Sequence, residues 1–512
     1  MRTRPLGPIL VVLALVLAAC GGADDAAPDD RTSAAPGDAD CDWSIEAPST
    51  DFVVDRCGRA LILRGVNVES ASKGDRQDDD HLPESDPALQ ELFGSEWGWN
   101  NVRFLVFWGA IEPEPDVYDE AYLDEVEGWM DRYEAAGIHV VLDLHQDLYG
   151  WSVGFDGAPD WAVDTQGHPI APPQDGGAWW LRGADPAVQA AYQSFWNPAD
   201  GDTYLQDHYL GALGHLAERF ADHPAVIGYD VMNEPAFANG DLDATLAIAG
   251  QAAVGEFHND NLTDFMNRGI ATVREASPDQ YVFVEPTSLV NYFPYPGDLI
   301  EGDIVDPRDG DPRIVYAGHL YEPTVHEGEG YPESSTYVEE WFDLRPAEAR
   351  TMSAALWFGE WGGAPGQDRM DGYLTDVLGA ADRTMSGWAY WSWDPGGWSP
   401  IDEDGTLSPN GEVLRRVQPR AVAGTPLSFG WDPDAATFRL VWTPRDEVTA
   451  PTEIAVPAAL FPDGFTVVLD GDEVADPDHD PATSTLRIPA DAGSTGGDHE
   501  LCVAPAGSTA CP

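Results

Sequence analysis

Residues 226–235 read VIGYDVMNEP, a run that begins apolar and ends in an amide, a carboxylate and a proline. Its first half is typical of a buried strand, whereas Asn233 and Glu234 place polar side chains at the strand's carboxyl end. Pro235 lacks the N–H that a strand ladder needs, so the strand is expected to end there. Glu234 is therefore either an ordinary solvated acid or a side chain that faces a ligand.

Eight apolar stretches of this kind recur between residues 60 and 394, and amphipathic helical patterns lie between several of them. The predicted strands are residues 60–68, 101–108, 139–147, 226–235, 281–286, 314–323, 356–362 and 387–394. Near-continuously apolar strands that alternate with helices indicate a parallel sheet covered on both faces. Eight such units predict an α/β fold, the (β/α)8 TIM barrel.

The pattern changes near residue 420, where short alternating strands separated by Asp-, Gly- and Pro-rich turns replace the helices. Such a pattern predicts a C-terminal β-sandwich. The predicted domains are a signal peptide over residues 1–20, a flexible tether over 21–40, a catalytic barrel over 41–420 and the sandwich over 421–512.

The N-terminus has the features of a targeting segment. Two arginines precede an apolar run that is too short to span a bilayer, and the run ends in Leu-Ala-Ala-Cys at residues 17–20. This ending resembles a bacterial lipobox, in which Cys20 is lipidated; the alternative is a plain secretory signal with a chance cysteine. In either case we expect an exported protein, a cell-surface lipoprotein or a secreted one.

The remaining four cysteines agree with export. Cys41 and Cys57 are close in sequence, as are Cys502 and Cys511. Two short-loop disulfides are typical of an exported protein, and neither spacing resembles a zinc site.

The formal charge is −64, from 26 basic and 90 acidic residues. This balance excludes nucleic acid as a partner, because phosphate binding requires a basic surface, and it disfavours electrostatic docking on anionic lipid. Lys73 is the single lysine of the chain, which singles it out as a candidate functional residue.

Polar side chains cluster at the ends of the predicted strands, where TIM barrels build their active sites. They are Asn67, Arg103, His145, Asp147, Asn233, Glu234, His319, Tyr321, Glu360 and Asp394. Glu234 and Glu360 end the fourth and seventh strands, so the two carboxylates are expected to face each other across the barrel mouth. A facing pair is the machinery of retaining glycoside hydrolysis: one acid with a raised pKa and one ionised nucleophile. Arg103 is the expected positive charge beside the nucleophile.

Other chemistries have less support. His145, Asp147 and His319 lack the spacing of a metal motif, and the chain has no nucleophile elbow, phosphate loop or dinucleotide fingerprint. We therefore expect neither a metal nor a cofactor.

Several motifs resemble glycoside hydrolase family 5. They are RGVN (64–67), NVRF (101–104), MNEP (232–235), HLY (319–321) and GEWG (359–362). A narrower resemblance, to bacterial endoglycoceramidases and their endogalactosylceramidase relatives, rests on LDLHQD (142–147), YWSWDPGGW (390–398), PRAVAGTP (419–426) and APTEIAVP (450–457). The resemblance covers about residues 45–505.

The resemblance implies cleavage of the bond between an intact sugar headgroup and ceramide. Glu234 would be the acid/base and Glu360 the nucleophile, with Arg103 and His319 supporting the two carboxylates. The residues that would hold the reacting sugar are Lys73, His145, Asp147, Trp179, Asn233, Tyr321 and Trp391. The implied partner is a glycosphingolipid or a related glycolipid, met at a lipid aggregate or membrane surface by a monomeric enzyme.

Three positions depart from the family pattern. Trp361 and Trp393 replace smaller residues, and Glu285-Pro286 ends the fifth strand where an apolar-small pair is expected. We expect these changes to border the sugar site, which leaves the headgroup open between glucosyl- and galactosyl-linked glycans. The alternatives are an enzyme of the same family that acts on another glycolipid, such as a steryl glycoside, or on a β-glucan, and a non-catalytic sugar-binding lipoprotein.

Overall fold

The computed structural model describes residues 41–172, 179–196, 201–236, 261–292, 303–493 and 496–511. Two short strands come first, β1 (Val53–Val54) and β2 (Ala60–Leu61). Eight parallel strands then close into a barrel: β3 (Arg64–Val68), β4 (Asn101–Phe107), β5 (His139–His145), β6 (Val226–Asp230), β7 (Tyr281–Val284), β8 (Ile314–Tyr316), β9 (Ala355–Phe358) and β10 (Gly387–Tyr390). The predicted TIM barrel is confirmed, with β10 paired to β3 to complete the ring.

Helices cover the outside of the barrel. Those with described bounds are α1 (Trp108–Ile111), α2 (Glu120–Ala135), α3 (Pro186–Trp196), α4 (Tyr204–Phe220), α5 (Thr263–Ala276), α6 (Leu289–Tyr292), α7 (Pro323–His326), α8 (Tyr337–Thr351), α9 (Met370–Thr384) and α10 (Pro409–Leu414). Helix α2 illustrates which residues start such a helix and which pack it against the barrel. The Asp119 carboxylate accepts hydrogen bonds from the first free N–H groups, and Leu123, Val126 and Met130 form its buried stripe.

The C-terminal region forms two antiparallel sheets. Its strands are β11 (Gln418–Val422), β12 (Gly424–Asp432), β13 (Thr437–Pro444), β14 (Thr452–Ala455), β15 (Phe465–Leu469), β16 (Asp472–Glu473), β17 (Asp478–Asp480), β18 (Thr485–Ile488) and β19 (His499–Pro505). One sheet has the order β1-β2-β11-β14-β18-β17 and the other β12-β13-β19-β15-β16. The predicted sandwich is confirmed, with a core of its own that includes Phe438, Leu440, Ile454 and Val503.

The first predicted strand, residues 60–68, is two strands in the structure. Ala60 and Leu61 pair with β11 in the sandwich, and the Ile62 N–H donates to the Arg420 carbonyl at 3.1 Å. The barrel strand β3 begins only at Arg64. Both halves are apolar and buried, so hydrophobicity alone does not mark the break. The chain before the barrel is thus part of the C-terminal sheet.

A buried ionic cluster joins the barrel to the sandwich. Asp382, near the end of α9, pairs with Arg64 of β3 at 2.9 Å and with Arg416 just before β11. All three side chains are at most 7% exposed. These nearly buried charges therefore lie where the first strand of the C-terminal sheets meets the barrel.

Cys41 bonds to Cys57 and Cys502 to Cys511, the two pairs expected from the sequence. Cys20 and the predicted signal peptide and tether lie outside the described residues. Among the described residues, no helix has the length and hydropathy needed to cross a membrane.

Candidate active site

A cavity of about 750 Å³ opens at the carboxyl ends of the barrel strands. Its wall includes Lys73, Glu234, Tyr321, Glu360 and Trp391. These five residues follow β3, β6, β8, β9 and β10, so the strand ends bring them together from across the chain. This is the face on which TIM barrels build their active sites.

Glu234 is held in a left-handed backbone conformation, with φ of +41°, that non-glycine residues rarely adopt. Its N–H donates to a Glu285 carboxylate oxygen at 2.9 Å, and the Gln146 side-chain amide donates to its carbonyl at 3.0 Å. The side chain accepts a hydrogen bond from His319 Nδ1 at 2.8 Å and one from the Asn291 amide at 3.1 Å. Neighbours on both sides therefore hold this carboxyl group in one position.

Glu360 lies just past the end of β9 and is 5% exposed. Arg103 Nη1 donates to one of its carboxylate oxygens at 2.7 Å, and the Tyr321 hydroxyl donates to the other at 2.9 Å. Both oxygens of this carboxylate therefore accept hydrogen bonds, which favours its ionised form.

A carboxylate oxygen of Glu234 and one of Glu360 lie within 4.8 Å of each other. Retaining glycosidases place their two carboxyl groups about 5 Å apart, whereas inverting enzymes leave about 6.5–9.5 Å for a water molecule. The separation in this barrel is that of the retaining class.

The environment shifts the pKa values of Glu234 and Glu360 in opposite directions. Burial raises the pKa of Glu234, and the charge of Glu360 adds to this against the opposing His319 contact. Burial also opposes the charge of Glu360, but His319 and Arg103 outweigh it and lower the pKa of Glu360. Burial disfavours a charged His319 as well, yet Glu285 and Glu360 raise its pKa well above the usual value. The site thus favours the protonated form of Glu234 and the ionised form of Glu360, as retaining hydrolysis requires of its acid and its nucleophile.

Arg103 lies at the centre of a ring of carboxylates, of which the sequence predicted only the contact with the nucleophile Glu360. Besides Glu360, its guanidinium contacts Asp143, Asp230 and Glu285, each at 3.0 Å. Asp143 and Asp230 are acids inside apolar strands, and such a residue requires a buried cation. That signal was present in the sequence but did not reveal the shared partner.

The residues implied to hold the sugar cluster on the opposite wall. Lys73 pairs with Asp147, and its ammonium lies 4.4 Å from the centre of the Trp391 ring. The His145 ring stacks on Trp391 at 5.6 Å. His145 Nδ1 hydrogen-bonds the Asp143 carboxylate at 2.7 Å, and this charge outweighs burial to raise the pKa of His145 to about 9. One aromatic face and three charged groups therefore meet beside the catalytic pair.

Asn233 lies next to Glu234 and is almost fully buried. Its side-chain oxygen accepts from Arg103 Nη2 at 2.8 Å, and its amide nitrogen donates to the Gln146 carbonyl at 3.0 Å. Trp179 begins a 3₁₀ helix, Trp179–Ala184, but its side chain lies outside the described part of the structure.

The expectation that Trp361 and Trp393 border the sugar site is wrong. Both side chains are 0% exposed. Trp361 packs edge-on against Trp388 and Tyr390, and Trp393 packs edge-on against Phe93. A tryptophan at a strand end can pack in the core or line a cleft, and Trp361 and Trp393 both pack in the aromatic core of the barrel. Of the three departures from the family pattern, only Glu285 reaches the catalytic residues.

Two groups in the cleft have donor atoms close enough to hold a metal ion: His145 with Asp147 and Asp156, and Glu234 with His319 and Glu360. In each group a cation of the protein, Lys73 or Arg103, already contacts a carboxylate. The expectation of a metal-free site stays a prediction.

Comparisons with known proteins agree with this geometry. Residues 88–397 match the cellulase family, glycosyl hydrolase family 5, and residues 416–503 match the glycoside hydrolase family 5 C-terminal domain. The chain is 30% identical over 454 residues to endoglycoceramidase I of Rhodococcus hoagii, covering 84% of this chain and 83% of that protein.

Solved structures give the same picture. Endo-glycoceramidase II from Rhodococcus sp. in its ganglioside GM3 complex has a TM-score of 0.78 at 33% identity, and covers 89% of this chain and 99% of that one. The lactosyl-enzyme intermediate of the same protein has a TM-score of 0.76 at 33% identity, with 89% and 100% covered. An endogalactoceramidase has a TM-score of 0.67 at 26% identity, with 89% and 98% covered. With the barrel and the second domain both matched, this chain belongs to glycoside hydrolase family 5.

Proposed function

We propose that the protein is a retaining endo-glycosidase that hydrolyses the β-glycosidic bond between a sugar headgroup and ceramide, releasing the intact glycan. The observation that carries the proposal is the catalytic pair: Glu234 and Glu360, within 4.8 Å of each other, with pKa values moved in opposite directions. The endoglycoceramidase relatives, similar over most of the chain, support ceramide as the leaving group.

In the first step, a Glu360 oxygen attacks the anomeric carbon while Glu234 gives its proton to the departing ceramide oxygen. The bond from the anomeric carbon to that oxygen breaks, and a covalent glycosyl-enzyme forms. Arg103 and Tyr321 hold the attacking carboxylate by both oxygens, so it is oriented before the substrate binds.

In the second step, Glu234, now ionised, takes a proton from a water molecule. The water oxygen attacks the anomeric carbon, and the ester bond to Glu360 breaks to release the sugar with its configuration retained. His319 donates to Glu234 throughout and stabilises the carboxylate in the ionised half of the cycle.

The sugar itself is held from the opposite wall. Lys73, His145 and Asp147 offer hydrogen bonds to its hydroxyl groups, and Trp391 offers an aromatic face against which it can pack. Asn233 is the partner of the 2-hydroxyl, and Trp179 is a further part of the sugar's frame. The roles follow from the family resemblance and agree with the positions of Lys73 and Trp391, which are half-buried and lie on the cavity wall.

Product analysis tests the proposal. The chain from residue 21 onward, which retains the Cys41–Cys57 disulfide, is incubated with an oligosaccharyl-glucosylceramide, a galactosyl-linked glycosphingolipid and a soluble cello-oligosaccharide, with Glu360→Gln as the inactive control. Intact oligosaccharide and ceramide from either lipid, absent with the variant, would support the endo reaction. Cleavage of the cello-oligosaccharide alone would instead indicate a β-glucanase, and cleavage of none would favour the sugar-binding protein.

Export as a lipoprotein is a second part of the proposal. The lipobox at residues 17–20 and the two disulfides support it, as does the 21–40 tether, which would let a monomeric enzyme reach lipid aggregates. Metabolic labelling with a radioactive fatty acid tests it. Label in the full-length chain and its loss in Cys20→Ser are expected, whereas an unlabelled protein in the medium would indicate plain secretion.

A further inference from the structure

The wall of the active-site cavity is strongly acidic. It carries seven carboxyl groups and a single ammonium group, that of Lys73. Besides the catalytic pair, the carboxyl groups belong to Asp75, Asp147, Asp156, Glu327 and Asp394. Because Lys73 is paired with Asp147, its positive charge is already balanced within the wall. Glu234 favours its protonated form and burial raises the pKa of Asp156 to about 7, but the other carboxyl groups still outnumber the ammonium group, so an arriving substrate meets a surplus of negative charge.

No arginine compensates for this surplus among the residues that the structure describes on the wall. Arg103 lies beneath the cavity floor, fully buried and surrounded by carboxylates. Segments 173–178, 197–200, 237–260 and 293–302 lie outside the described residues, and their sequences contain neither lysine nor arginine. Those parts of the chain can supply no such cation either.

Two of the carboxyl groups, those of Asp75 and Asp394, lie near Lys73 and Trp391 along the chain and on the same cavity wall. In the proposed mechanism Glu234 protonates the ceramide oxygen, so the sugars beyond the reacting one would extend away from Glu234, towards Lys73 and Trp391. Asp75 follows Lys73 by two residues. The Asp394 carboxylate accepts a hydrogen bond at 3.2 Å from the Ala71 N–H of the same loop as Lys73. Both are thus placed where the outer sugars of a headgroup would lie.

We infer that the enzyme acts on glycolipids with uncharged headgroups and discriminates against headgroups that carry a carboxylate or a sulfate; the inference rests on the proposed function. An anionic sugar in this cavity would lose water without gaining a cation, and it would face like charges at short range. The net charge of −64 extends the repulsion to anionic lipid aggregates. The chain would thereby differ from its relative that was solved with ganglioside GM3, a sialylated lipid.

Two matched substrate pairs test the inference. Lactosylceramide is compared with its sialylated derivative, and galactosylceramide with its 3-sulfate, all in the same neutral detergent. The members of each pair share the scissile bond and differ by one substituent that carries a single negative charge. At an ionic strength of about 10 mM, where charges act over roughly 30 Å, we expect kcat/KM at least about tenfold higher for the neutral member of a cleaved pair. At about 1 M salt, where the range is roughly 3 Å, the ratio is expected to narrow.

Charge variants separate electrostatics from shape. Asp75→Asn removes one carboxylate from the wall and is expected to raise the anionic-to-neutral ratio of kcat/KM about threefold at low salt, since each removed like charge lowers the repulsion. Asp80→Asn is the matched control, because Asp80 is exposed on the same loop but lies outside the cavity wall. The ratio should not change in this control.

The outcomes are distinct. Equal or faster cleavage of the anionic member would overturn the inference, and so would a neutral preference that neither salt nor Asp75→Asn changes, because that preference would be steric. No cleavage of any of the four lipids would overturn the proposed function itself, together with the inference. A salt-sensitive preference for the neutral member of a pair would support the inference and the proposed function.

Discussion

Glu285 is the residue whose removal tests the catalytic electrostatics most directly. It is 1% exposed, and one carboxylate oxygen lies 3.0 Å from Arg103 Nη2 and 3.1 Å from His319 Nε2. The other oxygen accepts the N–H of Glu234, whose backbone is in the left-handed region. In Glu285→Gln, the size and shape of the side chain persist, but its negative charge is lost.

The expected cost follows from these contacts. Removing one partner of a buried ion pair costs about 3–5 kcal/mol. Arg103 keeps three other carboxylates, so we expect the lower end of that range, about 3 kcal/mol of unfolding free energy. With about 2.1 cal/mol/K of unfolding entropy per residue over the roughly 470 residues of the folded unit, 1 kcal/mol shifts the Tm by about 1 °C, so the Tm should fall by roughly 3 °C. A loss of about 1.4 kcal/mol from the transition state alone would lower kcat tenfold, and we expect at least that.

Three measurements check the prediction: thermal unfolding, kcat on a glycolipid substrate, and the titration of His319 by NMR. Because the Glu285 charge raises the pKa of His319, the pKa should be lower in the variant. Glu322→Gln is the matched control, since Glu322 is also buried at the same end of the barrel but caps α7 through the Val325 N–H instead of holding a catalytic residue. The reasoning is refuted if Glu285→Gln keeps kcat within twofold and leaves the His319 titration unchanged.

Three further predictions follow from charges and cross-links. The pH–rate profile should be bell-shaped, because activity needs Glu360 ionised and Glu234 protonated. The acid limb should lie below pH 4.5, since the pKa of Glu360 is lowered, and the alkaline limb above pH 4.5, since the pKa of Glu234 is raised. A profile with a single limb would contradict the assignment. Asp382→Asn strips the shared partner from two buried arginines and should destabilise the protein by about 3–5 kcal/mol in urea unfolding, while a change below 1 kcal/mol would contradict the buried cluster. Replacing both Cys502 and Cys511 by Ser opens a nine-residue loop and should cost about 2–3 kcal/mol, with an unchanged Tm as the contrary result.

Hydrophobic pattern alone was sufficient to predict the barrel, because each barrel strand is buried on both faces and the pattern repeats eight times. Strand ends were predicted less well. Residues 226–235 were expected to form one strand, but β6 ends at Asp230. Residues 231–235 leave the sheet to bring Glu234 over the cavity, and this turn depends on Gln146 and Glu285, which come from other strands. A local sequence pattern contains no record of those distant partners.

The candidate site was likewise predictable from the sequence only in part. Glu234 and Glu360 could be identified because a barrel's strand order places the ends of its fourth and seventh strands on one face. The carboxylate ring around Arg103 could not, because it depends on which side chains point inward at one depth of the barrel. Trp361 illustrates the opposite error: an indole is equally suited to a sugar cleft and to a core, and only the packing around it decides.

The pairing of β2 with β11 has a consequence for how the chain matures during synthesis. Leu61 cannot pair in the sheet until its partner Ala421 is synthesised, 360 residues later. At about 5–20 residues per second, that delay is roughly 20–70 s. Throughout it, the apolar segment that contains Ala60 and Leu61 has no sheet to join, and it can associate with other exposed apolar surfaces before the C-terminal strands are made.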